Sequence, residues 1–582
     1  MAVAPALFAA AWIYRHALRT FFTPDDLVSL SRAAALDHTT LVFRPLSACV
    51  AYRLQYGIFG LNPLGYHAVN LALHLAAVLG VYALAVRLTG RRGAGAAGAL
   101  LFAASGIAFT PLHWVSGIGD LMACVLLLGA TLVHLEGRRR SLTALCWAAA
   151  VLAASATLAK ETAIVWPVAV AVLEWRGGLF RPRWRALLPS VVAGFGMGTW
   201  LAFTRHLPGS DALDPYGVAV SPMHLVSNLL TYARWCVALW DPLRDSIAAM
   251  DPGAWRVGLI VVFGTVVAVR HQWLRPQHPL EVGVAWWCAF LVPVLPLAHH
   301  TYLYYLYIPW AGGAVALAVG VAGLLDRYPP RVAVWIGCAA LAGFGLVEGH
   351  NAAVRERATI DALPADRTLR EATLLGHALP ALRASGLAPG TAIGFVNPIP
   401  GPRFDLMSGA PTRSGDQATR TSYMPLEAVL RGGEALRFFA PGLIYRGFAT
   451  TIPPGWDDVE CFLYEQRGWL RPWGHGQDAL RNQAALQASK GRWAEAESSF
   501  VRVRTLGDTL PQVLCGQAVA LYRLRRTREA DALVDTFERR WPHDRRAIEL
   551  RRARDPTATI SNLIPDFDSR ISSGSEPSSD RK

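Results

Sequence analysis

The stretch that decides the fold is residues 67–87, which read HAVNLALHLAAVLGVYALAVR and carry one Arg, at the end. About 20 apolar residues are the length at which a helix crosses the hydrocarbon core of a bilayer. Comparable runs lie at 94–112, 119–136, 142–159, 161–176, 186–204, 254–270, 281–299, 303–325 and 331–349, with a shorter run at 2–14. These runs predict a mostly α-helical protein, a polytopic transmembrane bundle.

The composition supports this prediction. Of 582 residues, 53% are hydrophobic and 17% are charged, whereas soluble chains hold about 25% charged residues. Mean hydropathy is +0.28, which excludes a disordered chain and a wholly soluble one. In a membrane protein, a net charge of +14 is expected in cytoplasmic loops, so it does not indicate nucleic-acid binding.

Several function classes lack their usual motifs. The 8 cysteines show no CxxC spacing and no clustering with histidine, so neither a disulfide framework nor a zinc site is indicated. Walker A, GxSxG and HExxH patterns are also absent from the sequence. ATP-driven transport and metalloprotease chemistry therefore lose their sequence support.

Arginine marks alternate loops, as expected for loops on the cytoplasmic side. These arginines are Arg87, Arg91 and Arg92; Arg138, Arg139 and Arg140; Arg176, Arg181, Arg183 and Arg185; Arg270 and Arg275; and Arg327 and Arg331. We predict about eleven crossings, with the N-terminus cytoplasmic and both the 15–66 loop and everything after about 350 periplasmic or otherwise extracytoplasmic. This parity requires that 225–240, which holds Asn228 and Arg234, lies at the interface without crossing.

The chain start, Met1-Ala-Val-Ala, has no charged region before the first apolar run. That argues against a secretory signal peptide. We therefore expect 1–349 to form the membrane domain, starting with a short first helix.

The tail has the composition of a globular protein. Residues 350–475 predict a small α/β connector, with strands at 391–397 and 458–464 and a loop at 399–422. In 476–550, seven positions align with positions 34 residues later, among them Ala484 with Ala518 and Ala496 with Ala530. This period is typical of tetratricopeptide (TPR) repeats; the alternative is a plain pair of helical hairpins. The polar stretch 566–582 predicts disorder.

Five polar features could carry chemistry. The first is Asp25-Asp26 after Pro24, beyond the first apolar run. Paired carboxylates can act as a general base or bind a cation. The alternative is a helix cap after Pro24 with a solvated neighbour, which residue type alone favours.

The second feature is His67, Asn70 and His74, which fall on one helix face. Polar groups inside a membrane bundle usually bond to another helix, so we interpret this face as structural. Direct catalysis is the alternative.

The third and fourth features lie at predicted outer turns. His113 and Trp114 beside Asp120 would form a polar-aromatic patch for a sugar ring, or an N-cap within an ordinary aromatic belt. Lys160-Glu161 would meet a phosphate or form a local contact between helices.

The fifth feature is His299-His300 followed by a tyrosine-rich stretch that includes Tyr304. Histidine and tyrosine can donate to phosphate or sugar hydroxyls. An interfacial tyrosine belt is the alternative.

In series, these pieces resemble the GT-C superfamily of polytopic glycosyltransferases, in particular the protein O-mannosyltransferase-like branch with luminal TPR repeats and its bacterial relatives. The matching residues, in order, are Asp25-Asp26, Arg44-Pro45-Leu46, Gly60 to His67, Asn70, His74, Trp114 to Gly117, Asp120, Ala159-Lys160-Glu161, Pro167 and Tyr304 to Pro309. The similarity covers about 20–350 and, by repeat type, 480–545. An arginine expected near the late tyrosine motif is absent, so His299 or His300 would substitute for it.

The resemblance implies transfer of a sugar from a polyprenyl-phosphate donor to a hydroxyl of a protein, glycan or lipid, at the outer face of what we expect to be a bacterial inner membrane. Asp25 or Asp26 would be the catalytic base. The donor phosphate would be bound by Arg44, Lys160, His299 and His300, and the sugar or acceptor by His113, Trp114, Asp120, Glu161 and Tyr304. No metal is required, although Asp25 and Asp120 could hold one.

Two other functions compete. A membrane-anchored TPR scaffold would use the helices mainly to hold a protein-binding tail. A transporter of lipid-linked sugar fits the helix count, but it would place charges near the membrane midplane, whereas most charges here lie at predicted outer helix ends.

Overall fold

The computed structural model describes residues 2–35, 44–176, 184–204, 217–243, 254–273, 279–298, 300–360, 363–397, 404–405, 422–423, 425–430, 434–464, 469–555 and 557. The chain divides into two compact units. The first contains Met1–Gly376 and Arg403–Pro425, and the second contains His377–Pro402 and Leu426–Lys582.

The first unit is a helical bundle. Its helices are α1 (Ala4–Ile13), α2 (Pro24–Ala34), α3 (Tyr52–Phe59), α4 (Pro63–Thr89), α5 (Arg92–Ala104), α6 (Phe109–His113), α7 (Ile118–Arg140), α8 (Thr143–Ala159), α9 (Trp166–Arg176), α10 (Trp184–Thr204), α11 (Pro222–Val237), α12 (Ala254–Trp273), α13 (Pro279–Leu291), α14 (Tyr307–Leu325) and α15 (Pro330–Arg357). The helix α16 (Arg367–Ala384) begins in this unit and ends in the second.

Among the described residues, five helices are long and apolar enough to cross a membrane: Pro63–Thr89, Val115–Arg140, Arg185–Thr204, Leu303–Leu325 and Pro330–Arg357. Arg92–Ala104 and Gly106–His113 pass the same test as a pair bent by 46°. The chain is therefore a multi-pass membrane protein, and each predicted apolar run contains a helix. Eleven crossings and their orientation stay predictions, because helices such as Ala4–Ile13 are shorter than the roughly 20 residues of a full span.

Local sequence sets the ends of α4. Asn62 caps it, its side chain accepting from the backbone N–H of Leu64, and Pro63 occupies the first turn, where a missing N–H costs nothing. Gly90 ends the helix with φ 71°, a left-handed conformation that glycine adopts without strain.

Glycine also allows α13 and α14 to pack closely. A Cβ on Gly283 would lie 2.5 Å from the carbonyl oxygen of Gly312, and a Cβ on Gly312 would lie 2.6 Å from that of Gly283. Small residues at such crossings let the backbones of membrane helices approach.

Beyond α15, a short hairpin of β1 (Thr359–Ile360) and β2 (Leu363–Pro364) leads to α16. Another short antiparallel pair, β4 (Phe404–Asp405) with β5 (Ser422–Tyr423), also belongs to the first unit. The rest of the predicted loop at 399–422 lies outside the described residues.

The second unit contains a four-stranded sheet. Its strands, in spatial order, are β6 (Ile444–Ala449), β3 (Ala392–Val396), β7 (Val459–Tyr464) and β8 (Leu470–His475). β3 runs parallel to β6 and β7, and β8 is antiparallel to β7. The strands expected at 391–397 and 458–464 are β3 and β7. Two short helices, α17 (Pro425–Leu430) and α18 (Glu434–Phe439), precede β6.

Five helices follow the sheet: α19 (Gly476–Ser489), α20 (Trp493–Thr505), α21 (Pro511–Arg523), α22 (Thr527–Arg540) and α23 (Arg546–Arg552). The small residues that recur 34 positions apart are buried: Ala484, Ala496, Ala518 and Ala530. The first hairpin is bonded to the α/β part, because Gln483 Oε1 accepts from the backbone N–H of Ile452 at 2.8 Å and Asn482 donates to the carbonyl of Trp473 at 2.7 Å. The TPR assignment stays a prediction.

The boundary between the units differs from the one expected near residue 350. α15 continues unbroken to Arg357, and Arg355 forms a buried ion pair with Asp366 at 2.6 Å. The chain up to Gly376 therefore packs with the first unit. The predicted disordered stretch 566–582 lies outside the described residues.

Candidate functional site

α2 separates the two acidic residues. Thr23 caps α2 and Pro24 starts it, while Asp26 accepts from the backbone N–H of Thr23 at 2.8 Å and from its hydroxyl at 2.9 Å. Asp26 is 0% exposed, and Asp25 is exposed. The cap is thus Thr23, and not an aspartate as the alternative from sequence proposed, because Asp26 completes the capping box from inside the helix.

Asp26 also binds a loop from another part of the bundle. Its Oδ1 accepts from the backbone N–H of Ser116 at 2.7 Å, from the Ser116 hydroxyl at 2.6 Å and from Tyr52 Oη at 3.1 Å. Burial raises the pKa of Asp26 to about 6, while the hydrogen bonds from Ser116 and Thr23 lower it in part. Burial and the charge of Asp26 raise the pKa of Tyr52, so its hydroxyl keeps its proton. The Asp26 carboxylate is thus engaged in positioning the loop, and Asp25 is the carboxylate accessible to a substrate.

The polar face of α4 holds the same loop, a short 3-10 helix over Val115–Gly117. Asn70 Nδ2 donates to the carbonyls of Pro111 at 3.2 Å, Trp114 at 3.1 Å and Val115 at 3.3 Å. His67 Nδ1 lies 2.8 Å from the carbonyl oxygen of Leu112. In this geometry both side chains bond to backbone and fix where Ser116 lies.

His74, one turn further along α4, has a similar environment. Its Nδ1 lies 2.8 Å from Tyr307 Oη, and its Nε2 lies 3.3 Å from the carbonyl oxygen of Ala103. The ring is 0% exposed, so His74 links three helices inside the bundle.

Four charged side chains form a network beside this loop. Arg44 donates to Glu161 through two bonds, of 2.8 and 2.7 Å, and Lys160 Nζ donates to Asp120 at 2.9 Å. The exposed fractions of the side chains are 14% for Arg44, 29% for Glu161, 2% for Lys160 and 4% for Asp120. Burial and the charge of Arg44 lower the pKa of Lys160, whereas Asp120 and Glu161 raise it. Each cation has a carboxylate partner, so the network is neutral as a whole.

A close approach of α7 to the end of α8 places the network. Ser47 Oγ donates to the carbonyl of Ala159 at 2.7 Å. A Cβ on Gly119 would lie 3.1 Å from that carbonyl oxygen and 3.3 Å from Ser47 Oγ. Glycine at this position lets Asp120 reach Lys160, the residue after Ala159.

Aromatic rings connect the network to the Ser116 loop. This aromatic cluster consists of Trp114, Tyr302, Tyr304 and Tyr305. Tyr304 stacks on Tyr302 with 5.5 Å between ring centroids and meets Trp114 edge-on at 5.5 Å. Lys160 Nζ lies 5.6 Å from the Tyr304 ring centroid and 5.5 Å from that of Tyr305. The cluster therefore has the Lys160 cation on one side, and through Trp114 it adjoins the Ser116 loop that Asp26 binds.

Two further polar residues meet Tyr302. The His300 ring lies 4.6 Å from the Tyr302 ring, edge to face, and Arg367 Nη1 donates to the Tyr302 hydroxyl at 3.3 Å. Burial raises the pKa of Tyr302; Arg367 lowers it and the charge of Asp25 raises it. Asp25 and Arg367 thus both act on one hydroxyl. His299, the other predicted phosphate ligand, lies outside the described residues.

His113 does not lie in a surface patch with Trp114, as the sequence predicted. It is 1% exposed, stacks on Phe109 at 4.0 Å between ring centroids and bonds through Nδ1 to the Phe109 carbonyl oxygen at 2.9 Å. Its Nε2 lies 3.5 Å from a carboxylate oxygen of Glu356. The ring lies inward because its stacking contact and its Nδ1 bond are both with Phe109, one turn earlier in α6, which ends at His113.

The site thus brings together most of the sequence candidates and adds three residues. Tyr52 and Arg367 had no sequence signal, and Ser116 lay in a quoted motif without a role. Within the described ranges, no group of three or more His, Cys, Asp or Glu side chains could hold a metal ion. Asp120, one of the two possible metal ligands, is paired with Lys160.

No protein-family model matches the chain. Two relatives from Drosophila melanogaster do match. Protein O-mannosyl-transferase Tmtc1 is 41% identical over 128 residues, or 21% of this chain and 14% of the relative. Protein O-mannosyl-transferase Tmtc2 is 36% identical over 257 residues, or 42% of this chain and 27% of the relative. These relatives confirm the resemblance to O-mannosyltransferase-like proteins, over a minor part of their own length.

Among solved structures, the chain is similar to ArnT from Cupriavidus metallidurans, whose structure was determined with bound undecaprenyl phosphate. The TM-score is 0.33 and the identity 20%, with 68% of this chain and 82% of ArnT covered. A likeness at this level does not assign an activity.

Proposed function

We propose that this protein is a membrane glycosyltransferase that moves a sugar from a polyprenyl-phosphate donor to a hydroxyl acceptor. The observation that carries the proposal is the division between Asp26, buried and hydrogen-bonded, and Asp25, exposed beside it. The names of the two Drosophila relatives support an O-linked transfer. They make mannose the first sugar to test and a protein hydroxyl the first acceptor.

Asp25 is the base in this proposal. It takes the proton from the acceptor hydroxyl, whose oxygen then forms a bond to the anomeric carbon of the sugar. The bond from that carbon to the phosphate oxygen breaks, and its electron pair leaves with the lipid phosphate. Asp26 is a positioning residue, because its bonds to Thr23 and Ser116 fix the start of α2 against the loop.

The aromatic cluster supplies a surface for the sugar. Trp114, Tyr302 and Tyr304 are each partly exposed, and aromatic rings with a polar edge can contact both the apolar and the hydroxyl face of a sugar. His300 lies against Tyr302, and Glu161 follows Lys160, which contacts Tyr304; both serve as hydrogen-bonding partners in this proposal. Arg44 and Lys160 are the phosphate ligands expected from sequence, although each already has a carboxylate partner.

The site belongs to the extracytoplasmic side in this proposal. α4 and α7 carry the site residues Asn70 and Asp120 in their N-terminal halves, and their last turns hold Arg87 and Arg138–Arg140. Arginine-rich helix ends favour the cytoplasmic side, so the opposite ends, which carry the site, would face the periplasm or exterior.

The test compares single substitutions in the native host. After deletion of the gene, the host receives the wild type, Asp25→Asn, Asp26→Asn or the control Asp326→Asn. Asp326 pairs with Arg91 at the end of α14 opposite to the tyrosines of the site. Mass spectrometry then profiles glycoproteins, surface polysaccharide and lipid-linked sugars, with protein levels measured alongside. We expect Asp25→Asn to lose about 10²–10⁴-fold in product at normal protein level, and Asp326→Asn to restore it.

Full restoration by Asp25→Asn would instead favour a non-catalytic scaffold. In that case the second unit would carry the function, since its helical hairpins and sheet form a body of their own.

A further inference from the structure

Arg367 contacts the aromatic cluster although it lies beyond the last apolar run of the chain. It lies 65 residues beyond Tyr302 in the chain, yet it donates to the Tyr302 hydroxyl at 3.3 Å. Arg367 is the first residue of α16, which begins ten residues after α15 ends. No arginine lies next to these tyrosines in the sequence. The guanidinium beside Tyr302 is instead supplied by the start of α16.

A buried ion pair fixes the start of α16. Asp366 accepts from the backbone N–H of Leu369 at 3.0 Å, as a helix cap does, and from Arg355 Nε at 2.7 Å. Asp366 is 2% exposed and Arg355 5% exposed. Although burial raises the pKa of Asp366, the charge of Arg355 and the hydrogen bonds from Leu369 and Arg355 keep it below its usual value. The pair therefore stays ionised and holds the backbone that carries Arg367.

Arg355 also connects the start of α16 to the segment before Trp114. Arg355 Nη2 donates to Thr110 Oγ1 at 3.2 Å, and its guanidinium lies 4.4 Å from the Phe109 ring centroid. Thr110 lies on α6, the helix that leads into the Ser116 loop. Arg367 is thus placed relative to the site by buried contacts.

The site holds three cations, Arg44, Lys160 and Arg367, and they differ in how easily a ligand can replace their carboxylate partners. Arg44 and Lys160 are 14% and 2% exposed and are paired across helices. Taking such a cation from its carboxylate leaves a buried charge unpaired, which is costly. Arg367 is 41% exposed and pairs with Glu371, one turn along the same helix, at 2.9 Å. Pairs of that kind contribute little, so a ligand can replace Glu371.

We infer that Arg367 binds the phosphate of the lipid-linked donor beside the Tyr302 hydroxyl. This inference rests on the proposed function. A guanidinium presents a planar fork of donors that fits two phosphate oxygens. Its charge offsets the repulsion between an ionised Asp25 and the phosphate. As the sugar–phosphate bond breaks, Arg367 also stabilises the negative charge that the leaving phosphate gains.

Direct binding tests the inference. The purified full chain in lipid nanodiscs is titrated with a polyprenyl phosphate, and with the matching polyprenol as a probe that lacks phosphate. The variants are Arg367→Gln, Arg367→Lys, Glu371→Gln and the control Arg383→Gln, an exposed arginine on the same helix. Thermal stability of each variant is measured in the same preparation.

We expect Arg367→Gln to weaken polyprenyl phosphate binding at least about tenfold, the scale of one charge-assisted hydrogen bond. Arg367→Lys should lose less, Glu371→Gln should bind more tightly than the wild type, and Arg383→Gln should match it. Polyprenol binding should be equal in all. A purely structural role would lower stability in both Arg367→Gln and Glu371→Gln and leave phosphate binding unchanged.

The outcomes separate the two proposals. If the wild type binds polyprenyl phosphate and Arg367→Gln binds it equally well, the inference is overturned while the glycosyltransferase proposal stands on Asp25. If the wild type binds polyprenyl phosphate no better than it binds polyprenol, both proposals are overturned.

Discussion

Arg44 and Glu161 are separated by 117 residues and form an ion pair of two hydrogen bonds, 2.8 and 2.7 Å long. The pair joins the segment before Pro45 to the turn after α8. Arg44 adopts φ 47°, a left-handed conformation that is uncommon for residues other than glycine. Two bonds to one carboxylate therefore hold a strained residue in place.

Breaking this pair should show measurable coupling. We expect Arg44→Gln and Glu161→Gln each to lower the free energy of unfolding by about 1.5–3 kcal/mol, the range for hydrogen bonds between charged groups. The double variant should lose less than the sum, because the second substitution removes a group that is already unpaired. Thermal or denaturant unfolding in detergent measures the cycle; additive losses would show that the two side chains do not interact in solution.

Lys160 and Asp120 should behave as a buried pair. Lys160→Met leaves the Asp120 carboxylate, 4% exposed, without its cation, and we expect a loss of about 3–5 kcal/mol. Lys160→Met with Asp120→Leu should recover most of that loss, since no buried charge remains. The melting temperatures of the two variants measure the difference. Equal melting temperatures would mean that solvent or another cation reaches Asp120.

Asp26 should make stability depend on pH. Its pKa is raised to about 6 by burial, so the folded state binds a proton more tightly than the unfolded chain does. The contribution of Asp26 to the free energy of unfolding is therefore fully present below its unfolded pKa near 4, and it is lost as pH rises through about 6. From the size of this pKa shift, we expect the free energy of unfolding of the wild type to fall by about 3 kcal/mol relative to Asp26→Asn over this window.

Scanning fluorimetry between pH 4 and pH 7 (roughly, the window set by these pKa values) compares the wild type with Asp26→Asn and with Asp25→Asn. The Asp25→Asn protein should keep the wild-type slope. A wild type and an Asp26→Asn protein with parallel pH profiles would contradict the assignment of the slope to Asp26.

In the second unit, Gly516 should tolerate no side chain. A Cβ there would lie 2.2 Å from Cζ of Phe500, so Gly516→Ala forces α21 away from α20 and should cost about 1–3 kcal/mol. Phe500→Leu should relieve the clash in the double variant. Unfolding of the full chain followed by circular dichroism checks both. A neutral Gly516→Ala would indicate that the helices have room to shift.

Much of the fold follows from the sequence because hydrophobic runs such as 67–87 are long and nearly free of charge. No alternative buries them, so they must be helices in a membrane. The number of crossings is harder to predict, because Thr143–Ala159 and Leu280–Leu291 are shorter than a full span. Composition does not show whether such helices cross the membrane.

The sequence singles out several residue types of the candidate site but not their pairings. Asp26, Arg44 and Lys160 stood out as charged groups beside apolar runs. Their partners Ser116, Glu161 and Asp120 depend on which helices pack together, and local sequence carries no record of that. Glu161 illustrates this limit: it was paired with its neighbour Lys160 in sequence, yet it binds Arg44.

Two residues show opposite errors. By residue type, His113 would belong to a surface patch with Trp114. Its ring instead stacks on Phe109 in the same helix, α6. Arg367 lies beyond the last apolar run, in a stretch without a recognised motif, and the contact with Tyr302 depends on the Arg355–Asp366 pair.

The Arg367–Tyr302 contact also has a consequence for biosynthesis. Asp25 emerges from the ribosome early, and its neighbour Asp26 can bind Ser116 once the next 90 residues are made. Tyr302 and Arg367 follow only after most of the helices have been inserted. At about 5–20 residues per second, this delay is on the order of a few tens of seconds. A nascent or truncated chain therefore carries Asp25 and Asp26 without the late tyrosines and the arginine, and we expect it to gain the proposed transferase activity only after α16 has formed.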